Sequence, residues 1–141
     1  MPEQSEVTVD VTEAAGLGEL CHLAATVTVP DGPTAGTRPV VCFGFPGGGY
    51  SRRYYTFDMP GADDGGQAGW HAARGWVFVA VDHLGVGDSS LPDPVRLTYE
   101  NVAAANAAAV RSIETVPMIG ACWPRTTTWP LLESVRTRPS A

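Results

Sequence analysis

The chain has 141 residues, 44% of them hydrophobic and 17% charged, with a formal net charge of −6. That is one ordinary domain's worth of chain with enough apolar material for a core, which excludes a disordered polymer. The negative charge argues against a nucleic-acid partner, which selects basic patches, and no apolar run approaches the roughly 20 residues that span a bilayer.

Met1-Pro-Glu-Gln-Ser-Glu6 is acidic and polar and does not read as a signal peptide. Cys21, Cys42 and Cys122 are odd in number and lack metal-ligand spacing. They read as reduced thiols of a cytoplasmic protein. No metal or organic cofactor is expected. Every basic residue is Arg and none is Lys, which we take as a coding-composition bias. Arg52-Arg53 is the one basic pair outside the C-terminal tail. It reads as a solvated loop pair, or as a contact for an anionic substrate.

In chain order, Val7-Thr-Val-Asp-Val-Thr12 alternates as a half-buried antiparallel strand does. Gly16-Leu-Gly18 supplies a turn, Leu23 to Val29 the partner strand, and Pro30-Asp-Gly-Pro33 its stop. Thr34 to Arg38 is a polar connector. Pro39-Val-Val-Cys-Phe-Gly-Phe45 and Trp76-Val-Phe-Val-Ala-Val81 are apolar runs without alternation, as in parallel strands buried on both faces. Each ends in a glycine-rich loop, Pro46-Gly-Gly-Gly-Tyr-Ser51 and Asp82-His-Leu-Gly-Val-Gly-Asp-Ser89. Ligands of open α/β sheets bind outside the carboxyl ends of such strands.

Between the runs, Arg52 to Asp64 is long, aromatic and irregular, the kind of loop that is usually functional. A helix is predicted over Gly66 to Arg74, with Asp63 or Asp64 as N-cap and Gly75 as the C′ residue. Strand, helix and strand in that order predict a right-handed crossover. A second helix is predicted from Thr98, as N-cap, to Glu114. Its inner face is read as Tyr99, Val102, Ala103, Asn106, Val110 and Ile113. From about Val116 the composition changes to Pro, Trp and Arg, as in Trp123-Pro-Arg-Thr-Thr-Thr-Trp-Pro130. No convincing strand follows there.

Here the sequence resembles the N-terminal half of an α/β-hydrolase. Cys42-Phe-Gly-Phe-Pro-Gly-Gly48 resembles that family's His-Gly-x-Pro-Gly-Gly loop after its third strand. Asp82-His-Leu-Gly-Val-Gly-Asp-Ser89 resembles its Asp-x-Arg-Gly-x-Gly-x-Ser loop after the fourth. The resemblance covers residues 7 to 115 and departs at Phe43, where the family has His, and at Leu84, where it has Arg. It implies an α/β fold in which an antiparallel N-terminal strand pair leads into a mostly parallel sheet with flanking helices. Residues 1–115 would be the N-terminal part of the hydrolase domain and 116–141 an irregular tail outside it.

The implied chemistry is ester or acyl-type hydrolysis with an oxyanion hole, whose backbone donors are each worth about 3 kcal/mol. One alignment puts the loop's donor at the N–H of Phe45, with Pro46 cis as an option. Another puts it at Gly48 or Gly49, and Gly47 belongs to the same loop. Asp82, Gly85, Gly87 and Ser89 would be structural in the second loop, as would His83, since the family's catalytic His lies far downstream. His71 and His22 read as packed or surface residues.

The nucleophile elbow Gly-x-Ser-x-Gly does not occur in this chain. The nearest string, Gly120-Ala-Cys-Trp-Pro124, puts Cys122 at the nucleophile's place. Trp-Pro follows it, and no Asp or His comes later. Cys122 therefore reads as an inert thiol and only a weak catalytic candidate. The expectation is a truncated hydrolase-like chain, by frameshift, early stop or as a short paralogue, that is inactive alone. Its partners would be a small-molecule substrate if completed, and a second copy through an exposed apolar sheet edge. Two other readings stay open. One is a non-catalytic binding protein using the aromatic loop Tyr50 to Phe57. The other is a nucleotide-binding βαβ unit, whose glycine loop would have to open directly into a helix.

Overall fold

The computed structural model describes residues 2–32, 40–61 and 64–115. Its elements are strand β1 (Glu3–Asp10), a one-turn helix α1 (Thr12–Ala15), β2 (His22–Val29), β3 (Val41–Gly44), a single 3-10 turn (Arg52–Tyr55), α2 (Gly66–Ala72), β4 (Val77–Val81) and α3 (Tyr99–Glu114). The four strands form one mixed sheet in the order β1-β2-β4-β3. β1 pairs antiparallel with β2 from Glu3↔Val29 to Asp10↔His22, and β2 pairs antiparallel with β4. β3 and β4 pair in parallel from Val41↔Val77 to Gly44↔Ala80.

The antiparallel first pair is as expected. The sheet is not mostly parallel, however: among the described residues two pairings are antiparallel and one is parallel. β2 is why, since it lies against the parallel pair in the opposite sense.

Both faces of the sheet are covered, which explains the unbroken apolar run of β4. Val77, Val79 and Val81 point into a core shared with Val7, Val9, Leu23, Val27, Ala105, Ala109 and Ile113, under α1 and α3. Phe78 and Ala80 point the other way, against Ala68 of α2, with Cys42 and Tyr55 beside them. Every residue of β4 is therefore buried, and alternation vanishes because each face has its own apolar layer. β4 is paired on both sides. Among the described residues the unpaired apolar edge is β3, whose Val41, Cys42 and Phe43 are only half-buried. β1, the other edge, carries Glu3, Glu6 and Asp10, charges of the kind that blunt edge pairing.

The helices follow their predicted places with corrections. α2 stops at Ala72 rather than Arg74, and Gly65, not Asp64, holds its N-cap position without a side-chain cap; Asp63 lies outside the described residues. Gly75 has φ 82° and closes the helix, with the Trp76 N–H donating to the His71 carbonyl at 3.2 Å. α1, with Gly16 at φ 64° as its left-handed cap, fills part of what reads in sequence as a turn.

α3 starts where expected. Thr98 Oγ1 accepts from the Asn101 N–H while the Asn101 carboxamide accepts from the Thr98 N–H, a reciprocal cap. Its inner face matches the expected one in part: Ile113 is buried, Val102 packs against the core, and Asn106 and Val110 are half-buried. Ala105, Ala109 and Ile113 are buried, whereas Ala103 is exposed and Tyr99 is 92% exposed. The connector Thr34 to Arg38 and the tail from Val116 lie outside the described residues. No helix among the described residues is long and apolar enough to cross a membrane.

This placement of the α3 face sets a direct contrast. Ile113→Ala should cost about 2–5 kcal/mol by opening a cavity under the sheet. Tyr99→Ala should stay within about 0.5 kcal/mol. Urea unfolding of both variants checks the difference, and equal losses would place Tyr99 on the inner face after all.

Candidate functional site

The two glycine-rich loops leave the carboxyl ends of the adjacent parallel strands β3 and β4, so they stand side by side. What joins them is Arg52, the first residue of the 3-10 turn. Arg52 is 7% exposed and reaches four partners. Its Nη1 pairs with the Asp82 carboxylate and, at 2.8 Å, with Asp88. Nη2 pairs with Glu6 at 2.7 Å, and Nε donates to Thr26 Oγ1 at 3.0 Å. The backbone N–H of Arg52 also donates to Asp82 Oδ1.

Burial opposes the charge on Arg52, but hydrogen bonds to Glu6, Asp88 and Asp82 outweigh it and hold the guanidinium above its ordinary value. Arg52 is thus neither a solvated loop residue nor free to meet a substrate. It is an internal clamp.

Asp82 is fully buried. Its second oxygen also accepts from the Asp88 N–H at 3.0 Å. Gly87 lies directly over this carboxylate: it has φ 57°, and a Cβ there would overlap the Asp82 oxygens. Ser89 Oγ donates to the Asp82 carbonyl at 2.8 Å and accepts from the Ala24 N–H at 2.9 Å. The Gly85 N–H donates to the Ser90 carbonyl at 2.8 Å, and the Ser90 N–H to the His22 carbonyl at 3.0 Å. Asp82, Gly85, Gly87 and Ser89 thereby come together in one loop stitched to the start of β2. Leu84 is buried in the core. Arg52 brings a guanidinium to Asp82 from the other loop.

In the first loop, Gly47 to Tyr50 form a turn closed by the Tyr50 N–H on the Gly47 carbonyl at 3.0 Å, with Gly49 at φ 88°. Gly47, Gly48 and Gly49 are exposed, and among the described residues their N–H groups donate to no partner. Such a turn offers N–H donors to an anion. Phe45 is half-buried and stacks on His83 at 5.7 Å. Its carbonyl accepts from Tyr55 Oη–H at 2.9 Å, and burial pushes the Tyr55 phenol up. The described chain has no cis peptide bond, so Pro46 is trans.

His83 Nε2 lies 2.8 Å from the Pro46 carbonyl, and Nδ1 lies 3.0 Å from Asn106 Nδ2. A carbonyl only accepts, so the proton sits on Nε2 and Nδ1 takes the amide hydrogen. Both ring nitrogens are occupied, which makes His83 a strut between the first loop and α3. His71 is a packing residue stacked on Trp76 and Phe78, while His22 bonds Ser90 Oγ at 2.8 Å.

Cys21 and Cys42 are free thiols, and burial pushes the Cys21 thiol up. Cys122 lies outside the described residues. Among the described residues no group of three or more His, Cys, Asp or Glu could hold a metal ion. The glycine loop opens into the 3-10 turn at Arg52–Tyr55, and the next α-helix begins only at Gly66. A helix N-terminus is therefore absent from the place where a dinucleotide loop requires one.

Two outcomes follow from this geometry. Gly87→Ala forces a side chain into both a left-handed backbone and the Asp82 carboxylate, and should cost roughly 2–4 kcal/mol in a urea titration. The Arg52 hydrogen bond and charge hold the Asp88 carboxyl below its usual range, and the Thr12 N–H does the same for Asp10. A carboxylate whose folded value is depressed contributes fully above its unfolded value and loses that contribution as pH falls through the folded one. Unfolding free energy should therefore be flat between about pH 5 and pH 8 and decline below about pH 4. Asp88→Asn should flatten the acid limb; an unchanged limb would show that this pairing is not felt.

Compared with known protein-family models and with curated proteins, the chain matches none.

Proposed function

We propose that residues 1–115 form the oxyanion-loop half of an α/β-hydrolase-like domain whose chemistry is ester or acyl-type hydrolysis. The observation that carries this reading is the joining of the two resembling loops through Arg52 and Asp82 at the ends of adjacent parallel strands. The order of elements also supports it: an antiparallel pair, a strand with a glycine turn, a helix, a strand and a long helix. In acyl transfer the glycine turn would present N–H donors to a developing oxyanion, the charge that such donors stabilise best. No Gly-x-Ser-x-Gly occurs in the 141 residues, so this sequence does not supply the family's nucleophile and the chain alone does not turn over esters.

A second reading keeps the fold without the chemistry and makes the segment from Tyr50 to Phe57 a binding surface. It is favoured by the exposure of Tyr50, Tyr54 and Phe57.

Methylphosphonate, a tetrahedral stand-in for the oxyanion, separates the two readings. In amide NMR spectra it should move the Gly47, Gly48 and Gly49 resonances in a saturable way, while p-nitrophenyl acetate hydrolysis stays at background. Shifts confined to other residues would remove the oxyanion role. Ester turnover abolished by Cys122→Ala would restore Cys122 as a nucleophile.

A further inference from the structure

Acyl chemistry does not require the surface that begins where the glycine turn ends. Tyr50, Tyr54, Phe57, Met59 and Trp70 are all exposed, yet together they line one open groove of about 680 Å³. Exposed apolar residues scattered singly need no account, but a contiguous set around a groove marks an interaction site. The volume falls in the range of roughly 300–1,000 Å³ that holds small molecules.

The groove's walls are held from behind. Tyr54 packs edge-on against Tyr55 at 5.3 Å, and Tyr55 is itself fixed by its bond to the Phe45 carbonyl and its contact with Phe78. The Arg74 guanidinium lies 3.5 Å over the centre of the Trp70 ring and donates to the Trp70 carbonyl at 2.8 Å. His71 meets the same ring edge-on at 4.9 Å. Arg74 covers one face of Trp70 without itself lining the groove, which Trp70 does. Aromatic side chains immobilised in this way lose little freedom when a ring stacks on them.

Charge narrows the ligand. In a chain with 15 acidic residues, Arg53 is the single charged residue lining the groove among the described residues. Arg53 is exposed, and its charge is felt at Asp88. Its guanidinium forms no hydrogen bond or ion pair among the described residues. Unlike its neighbour Arg52, it is available.

The geometry points to a binding site for a flat aromatic small molecule bearing one anionic group. The ring system stacks on Trp70 and Tyr54, and the anion meets Arg53. The site adjoins the glycine turn at Tyr50 and does not depend on acyl transfer.

The test is calorimetric titration of the full 141-residue chain with 2-naphthoate, alongside neutral 2-naphthamide, the cation (2-naphthylmethyl)trimethylammonium and non-aromatic cyclohexanecarboxylate. One-to-one saturable binding of 2-naphthoate is expected, weakened about tenfold or more in each comparator and in Arg53→Gln and Trp70→Leu. Arg53 is exposed, so its variant should melt like the parent chain and isolates the charge even if Trp70→Leu is destabilised. Absence of saturable binding, equal affinity for the cation, or affinity unchanged in Arg53→Gln would overturn the proposal. So would tighter binding of a proline-rich peptide, or a dimer in sedimentation that Trp70→Leu dissolves, since the groove would then belong to a peptide or to a second copy. Neither Arg53 nor Trp70 belongs to the glycine turn, so failure here leaves the methylphosphonate result standing, and the reverse holds.

Discussion

A carboxylate with no access to solvent is costly unless a cation and hydrogen-bond donors meet it, and Asp82 is such a group. It terminates β4 in the middle of the sheet, and the Arg52 side chain and backbone both answer it from the loop after β3. The same guanidinium reaches Glu6 on β1 and Thr26 on β2. One buried cation therefore ties three strands and two loops to a common point. Such a centre need not add much net stability, because desolvation consumes most of the attraction. Its effect is positional: neither loop can move without stranding a buried charge.

The rest of the site is arranged around that point. Gly87 leaves room for the carboxylate, and Ser89 fastens the Asp82 carbonyl to β2. His83 and Tyr55 hold the carbonyls of Pro46 and Phe45, which fixes the root of the glycine turn, whose N–H groups have no partner among the described residues. Arg52 and Arg53 show how one step of chain separates the two roles. Arg52 turns inward to the carboxylates, and Arg53 turns outward to line the aromatic groove.

What could be read from the sequence was what depends on near neighbours. The β4 run was legible because two apolar layers demand apolar residues at every position, and the start of α3 was legible because a cap is written within four residues. The α3 face is legible only in part, because Tyr99 outweighs alanines in an apolar pattern. Yet Ala105 and Ala109 are the small residues that let the helix approach the sheet. α1 has too few residues to show a period. Arg52 was missed as a clamp because its partners lie 26 to 46 residues away, and no local spacing encodes that meeting. The balance of parallel and antiparallel pairs was missed for the same reason, since the sense of β2 against β4 is a tertiary choice.

The most direct test of this account is a double-mutant cycle on Arg52→Met and Asp82→Leu, read by urea unfolding. If the buried pair sets the loops, Arg52→Met strands the Asp82 charge and should cost about 3–5 kcal/mol, and Asp82→Leu, which leaves Arg52 only Glu6 and Asp88 as ion-pair partners, should also be destabilising. The double substitution removes both charges and should cost less than the sum by about 2 kcal/mol or more. Single losses that are small and add within about 0.5 kcal/mol would contradict the account, and the two loops would then owe their positions to something other than this pair.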